Sequence, residues 1–202
     1  MVYIVDDDDN VRLSLSSLLS MHRDIDVREF GSGERFLAEA ADLSPGCVLL
    51  DLDMRQVSGM EVLKAIAPSP DRFATVILTG KGDVALAVQA MKWGAVDFLE
   101  KPCDHTVLID TVRIAFDRLA HHGKEAAQRD NARAKLDTLS AREFDVFRGL
   151  ISGMSNKIIA HELTISPRTV EIYRANVMDK LEARNLSEAM RVAFAAGLIS
   201  SS

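Results

Sequence analysis

The sequence predicts two domains: an α/β domain built on a doubly wound, five-stranded parallel sheet, then a smaller all-α domain. Three observations carry this. Residues 1–105 alternate strand and helix signals five times, the spacing of βα units in a parallel sheet. The third and fourth strand segments, around Cys47-Val48-Leu49-Leu50 and Thr75-Val76-Ile77-Leu78, are apolar runs of the kind buried on both faces. Past residue 138 only helical patterns with capping residues remain.

In order along the chain, strands are expected over 2–5, 25–30, 47–50, 75–78 and 96–99, and helices over 10–20, 33–41, 59–66 and 84–93. Gly46, Gly59, Gly80, Gly82 and Gly94 punctuate the connections. A helical pattern over 106–119 can run on past Gly123 to residue 135, where the sequence is Ala- and charge-rich with little apolar stripe. That piece reads as a linker, helical or loosely ordered, and divides the chain into 1–120, 121–137 and 138–202. In the last part Ser140 caps a helix over 141–151, and Glu143 completes a capping box before Gly153 stops it. A short helix covers 156–163. Ser166-Pro167 opens a helix running to about residue 182, and 187–196 ends at Gly197.

The 202 residues are 48% apolar with a net charge of −6. That total hides a division. Residues 1–120 hold 12 Lys and Arg against 20 Asp and Glu, a net of −8, while 121–202 hold 12 against 10, a net of +2. Different partners are expected for the two halves. No apolar run approaches the roughly 18 residues of a membrane span, and the N-terminus is already a strand, so no membrane partner and a cytoplasmic location are expected. Cys47 and Cys103 have neither metal-site nor redox spacing.

Ligands of open parallel sheets bind outside the carboxyl ends of the strands. Here those ends supply Asp6-Asp7-Asp8-Asp9, Asp51, Thr79 and Lys101-Pro102. Clustered carboxylates resist burial unless a cation joins them, and an all-oxygen set suits Mg²⁺. A lysine and a hydroxyl opposite the acids suit the oxygens of a phosphoryl group moving onto a carboxylate. Asp8 and Asp9 read as solvated or helix-capping acids.

Ile4-Val5-Asp6-Asp7-Asp8, Leu50-Asp51-Leu52-Asp53-Met54, Thr79-Gly80-Lys81-Gly82-Asp83-Val84 and the run from Ala90 to Pro102 together resemble the receiver domain of bacterial two-component systems, which is flavodoxin-like. The whole chain resembles the FixJ subgroup of response regulators. The resemblance implies Asp51 as phosphoacceptor, attacking the phosphohistidine of a sensor histidine kinase. It implies Mg²⁺ on Asp7, Asp51 and the main-chain carbonyl of Asp53, with Asp6 assisting, and Lys101 on the phosphoryl oxygens. Thr79 and Phe98 would form the switch, and Lys101–Pro102 would be cis. Two departures stand out. Arg55 occupies the family's usual Pro position, and Asp53 and Lys81 flank the pocket, where mutual attraction is expected.

Ser140-Ala141-Arg142-Glu143, Gly153 to Ala160 and Ile165 to Glu171 resemble the LuxR-type helix-turn-helix. Helical spacing supports this separately. Val170, Val177 and Leu181 form an inner stripe with Tyr173 beside it, and Arg168, Ile172, Ala175 and Asp179 form the outer face. Among the candidate DNA contacts, Arg168 reaches a base or a phosphate, Ile172 and Ala175 touch thymine methyls, Thr169, Glu171 and Asn176 flank them, and Lys157 and Arg174 face phosphates. Asp179 and Arg184 read as a solvated face.

The implied protein is a transcription regulator and not an enzyme beyond its own phosphorylation chemistry. Phosphorylation would reshape the face formed by residues 83–116, pairing two molecules or releasing the second domain. The homodimer would bind promoter DNA and meet the transcription machinery. Two other readings remain open. One is an aspartyl-phosphate hydrolase of the haloacid-dehalogenase type, which Asp51-Leu52-Asp53 resembles, although Arg55 stands where that family needs Thr or Val. The other is a DNA-binding protein that dimerises through its receiver without phosphorylation.

Overall fold

A computed structural model describes residues 1–80 and 84–199. Residues 1–124 and 125–202 form two compact units. In the first, β1 (Val2–Val5), β2 (Val27–Phe30), β3 (Gly46–Asp51), β4 (Phe73–Thr79) and β5 (Asp97–Glu100) make a wholly parallel sheet in the order β2-β1-β3-β4-β5. The most apolar strand, β3, is central and buried along its whole length. Strand order reverses between β1 and β3, and the crevice at that point opens at the carboxyl ends.

Strand alternation distributes side chains to two cores. Tyr3, Val5, Val48, Leu50 and Ile77 face one side, with α2 (Gly33–Glu39), α3 (Gly59–Ile66) and α4 (Val84–Lys92) supplying Phe36, Val62, Leu63 and Ala90. Val2, Ile4, Cys47, Leu49, Val76 and Leu78 face the other, where α1 (Asp9–Leu19) and α5 (His105–Asp137) supply Leu15, Leu19, Leu108 and Val112. The doubly wound sheet expected from the sequence is therefore present. Strand β2 starts two residues later than predicted, because Ile25 N–H is used in a turn onto His22 O (3.0 Å). Helix α5 is continuous across Gly123, so residues 121–137 are helical.

In the second unit α6 (Ala141–Ile151), α7 (Asn156–Leu163), α8 (Pro167–Lys180) and α9 (Leu186–Ala195) pack with Ala132 and Leu136 from the end of α5. Ser140, Ser155, Ser166 and Asn185 each accept an amide hydrogen bond at a helix start. The stop after α7 is Thr164, whose left-handed backbone (φ 56°) turns the chain sharply into α8. Val170, Val177 and Leu181 are buried against the other helices, and Tyr173 is half-buried beside them.

Candidate functional site

At the carboxyl edge of the sheet, β1 delivers Asp6 and β3 delivers Asp51, both buried, with the half-buried Asp7 next to Asp6. One oxygen from each of the three lies within 4.8 Å of the others. Lys101, just past β5, closes the cluster with its ammonium 2.6 Å from Asp6 Oδ2 and 2.7 Å from Asp51 Oδ1. Its backbone is fixed by its N–H donating to Thr79 O (2.7 Å), and the Lys101–Pro102 bond is cis. Asp6 Oδ1 also accepts from Asp8 N–H (2.8 Å), so one buried acid holds the turn that leads into α1. Asp8 caps that helix, accepting from Asn10 N–H, and Asp9 pairs with Arg12.

The charges are poised against burial. Desolvation raises the pKa of Asp51, the hydrogen bond and charge of Lys101 pull it back, and Asp6 and Asp53 push it up again; the net is upward. Burial works to lower the pKa of Lys101, but its bonds to Asp51 and Asp6 prevail and raise it. The lysine is thus held as a cation against the anionic cluster.

Thr79 ends β4 one residue beyond Leu78, the register partner of Asp51, and is buried. Phe98 is half-buried on the core of the α3 side. Asp53 is exposed in the loop after β3. Lys81 and Asp83 lie outside the described residues, as do the expected Asp53–Lys81 attraction and the start of the 83–116 face. Arg55 puts a cation beside the site, as expected from the sequence, but its partner and the role of Gly59 were not read there. Arg55 places both its N–H (3.2 Å) and its guanidinium Nε (3.4 Å) on Asp7 Oδ2. Gly59 lets α3 approach the sheet so closely that a Cβ there would stand 2.0 Å from Asp51 O. Only the departure at Arg55 could have signalled the first, and only the glycine at a helix start the second.

On the second unit, Arg168, Glu171, Ile172, Arg174, Ala175 and Asn176 are exposed along α8, and Lys157 is exposed on α7. Thr169 is half-buried and committed to the helix start, its N–H donating to Ser166 Oγ (3.0 Å) and its hydroxyl 2.8 Å from the same atom. Ile172 keeps 56% of its surface in solvent, one of several large apolar side chains that do. On α6, Glu143 is buried, accepting from Ser140 N–H (2.8 Å) and Lys180 Nζ (2.6 Å), and its pKa is lowered to about 2, chiefly by Lys180.

The "Response regulator receiver domain" family matches residues 2–113, and "Bacterial regulatory proteins, luxR family" matches 137–193. The transcriptional regulatory protein FixJ of Azorhizobium caulinodans is 44% identical over 197 residues, 98% of this chain and 93% of that one. The chain belongs to the FixJ group of response regulators. FixJ of Rhizobium meliloti is 43% identical over 97% of this chain and 96% of its own length. Among solved structures, the response regulator StyR superposes with a TM-score of 0.80 at 33% identity, covering 95% of this chain and 96% of that one. Full-length FixJ from B. japonicum gives 0.58 at 44% identity over 98% of both. As a FixJ-type regulator the chain joins a receiver to a LuxR-type DNA-binding domain and acts in transcription regulation, not as a conventional enzyme. Receivers of this family typically bind Mg²⁺ at their acidic pocket. No helix among the described residues is long and apolar enough to cross a membrane.

Proposed function

We propose that Asp51 is the phosphoacceptor through which a sensor histidine kinase controls this regulator. The observation that supports this most is the cluster of Asp6, Asp7 and Asp51 oxygens with Lys101 bridging two of them. An Asp51 carboxylate oxygen attacks the phosphorus of the kinase phosphohistidine. The P–N bond breaks, the imidazole leaves with its electron pair, and an acyl phosphate remains. Positioning and charge neutralisation supply most of such a transfer. The donor set fits Mg²⁺: Asp7, Asp51 and the Asp53 carbonyl would hold it, with Asp6 assisting. Bound there, the ion would neutralise charge on the transferring phosphoryl group. Lys101 is placed to exchange its Asp51 contact for a phosphoryl oxygen. Thr79 and Phe98 would then rearrange, carrying the change to the face of α4, β5 and the start of α5.

The output is a homodimer, in which two copies of α8 meet two half-sites one helical turn apart in promoter DNA. Arg168 reaches a base or a phosphate, Ile172 and Ala175 touch thymine methyls with Thr169, Glu171 and Asn176 flanking them, and Lys157 and Arg174 contact phosphates; the DNA-bound dimer meets the transcription machinery in the cytoplasm. Residues 1–120 act as receiver, 121–137 as helical linker and 138–202 as DNA-binding domain. The test is intact mass and light-scattering mass with and without acetyl phosphate and Mg²⁺. One phosphoryl adduct with a doubled particle mass, both lost in Asp51→Asn, is the expected result. Absence of the adduct, while a control receiver is modified, would refute it. An adduct that leaves the particle mass unchanged would refute the dimer step alone.

A further inference from the structure

Arg12 lies in the first turn of α1 and turns its guanidinium back toward the carboxyl end of β1, where only 15% of the side chain stays in solvent. Nη1 donates to the main-chain oxygen of Asp6 (2.8 Å), Nη2 pairs with Asp9, and Nε stands 3.9 Å from Glu29 Oε2 on β2. The guanidinium also lies against Gly31, where a Cβ would stand 3.6 Å from Cζ and both Nη atoms. The acidic partners of Arg12, Asp9 and Glu29, are not members of the Asp6, Asp7 and Asp51 cluster. We propose that Arg12 is a positioning residue of the acidic pocket: by holding the Asp6 carbonyl it sets the peptide that orients Asp7 as a Mg²⁺ ligand, an inference that rests on the Mg²⁺ reading of that pocket.

A peptide group is planar, so the Asp6 carbonyl and the Asp7 N–H move as one unit. A bond to Asp6 O therefore fixes the plane from which the Asp7 Cα, and with it the carboxylate, projects. The rest of Asp6 is held as well: its N–H donates to Phe30 O (3.2 Å), Oδ1 accepts from Asp8 N–H (2.8 Å) and Oδ2 meets Lys101 (2.6 Å). Groups that orient a metal's ligands are part of the affinity for that metal. Charge alone predicts the opposite sign. A guanidinium near three carboxylates repels an incoming cation, and its removal would by itself tighten Mg²⁺ binding. Arg55 acts through charge, because it sits on an Asp7 carboxylate oxygen. Arg12 acts through the backbone, because its contact within the 6–7 segment is a main-chain oxygen. The two arginines are therefore expected to have opposite effects on the ion.

The experiment is a Mg²⁺ titration of the full-length protein, followed by the amide signals of Asp7 and Asp51, for wild type, Arg12→Met, Arg12→Lys and Glu29→Gln. Arg12→Met keeps an apolar stem but no donor, and is expected to weaken binding about fivefold or more. Arg12→Lys keeps a charge and a donor, and should fall between wild type and Arg12→Met. Glu29→Gln removes an ion pair but leaves the bond to Asp6 O, and should bind as wild type does. Dispersed amide spectra elsewhere in the chain show that each variant is folded. A second measurement needs no variant: the Nη protons of Arg12 should stay hindered in rotation when Mg²⁺ is saturating. Arg12→Met binding as tightly as wild type or more tightly, an equal loss in Glu29→Gln, or Nη protons freed by Mg²⁺ would each overturn the proposal alone. No Mg²⁺ shift at Asp7 and Asp51 in the wild type would refute the metal reading and the proposal with it.

Discussion

Arg55 brings a main-chain N–H and a guanidinium to the same oxygen of Asp7, a carboxylate proposed to hold Mg²⁺. The guanidinium therefore competes with the ion for one ligand. Its side chain is 90% exposed, so solvent screens the pair, and an interaction of this kind contributes about 0.2–1 kcal/mol. Arg55→Ala is accordingly expected to tighten Mg²⁺ binding, by no more than about fivefold. A Mg²⁺ titration followed by the amide signals of Asp7 and Asp51 measures it, and weaker binding in the variant would contradict this account. At this scale the sequence was readable where a residue type matched a strand end. Asp6, Asp51, Thr79 and Lys101 were found because apolar runs locate strand ends. The Arg55–Asp7 contact was not, because Arg55 sits in an irregular loop beside Gln56, whose left-handed backbone (φ 64°) no local pattern announces.

Helices were legible because most are written twice, in apolar spacing and in capping residues, and strands because their apolar runs mark them. The strength of an element's attachment was not. Gly59 looks like loop punctuation in sequence, yet it sets how near α3 lies to the end of β3. Since the obstructing atom is the backbone carbonyl of Asp51, 2.0 Å from a Cβ at that position, no side-chain rotation relieves the clash. Gly59→Ala is expected to destabilise the receiver by at least about 1–3 kcal/mol and to slow acceptance of phosphate from acetyl phosphate. Chemical denaturation and intact mass read the two effects. In the second unit, Glu143 joins α6 to α8 through Lys180 and also closes the capping box with Ser140. Its pKa falls from 4.5 to about 2 on folding, so the folded state favours the ionised form. The resulting stability is fully present above about pH 5 and is lost as pH falls toward 2. Urea unfolding followed by α6 amide signals should show this acid sensitivity, and Glu143→Gln should flatten it. An unchanged pH profile in that variant would place the sensitivity elsewhere.

Across the whole chain, residues 1–120 with a net charge of −8 are joined to residues 121–202 with a net charge of only +2. A single such part has little electrostatic attraction to DNA, and Lys157 and Arg174 are its proposed phosphate contacts. Two phosphates neutralised per unit correspond to a slope of log K against log salt of about −2, and a pair of units on two half-sites to about −4. Pairing also makes the second contact intramolecular, at an effective concentration in the millimolar range for a short connection. Phosphorylation is therefore expected to raise affinity for a two-half-site promoter by about 10²-fold or more and to double its salt slope, while affinity for a single half-site barely changes. Fluorescence anisotropy at several salt concentrations, with wild type and Asp51→Asn treated with acetyl phosphate, distinguishes the routes. A gain with a doubled slope on paired half-sites alone means dimerisation. An equal gain on single half-sites with an unchanged slope means that phosphorylation releases the DNA-binding domain without pairing it. Arg174→Ala should lower the paired-site slope by about 2, one phosphate contact from each protomer, and a slope that does not move would remove Arg174 from the phosphate contacts.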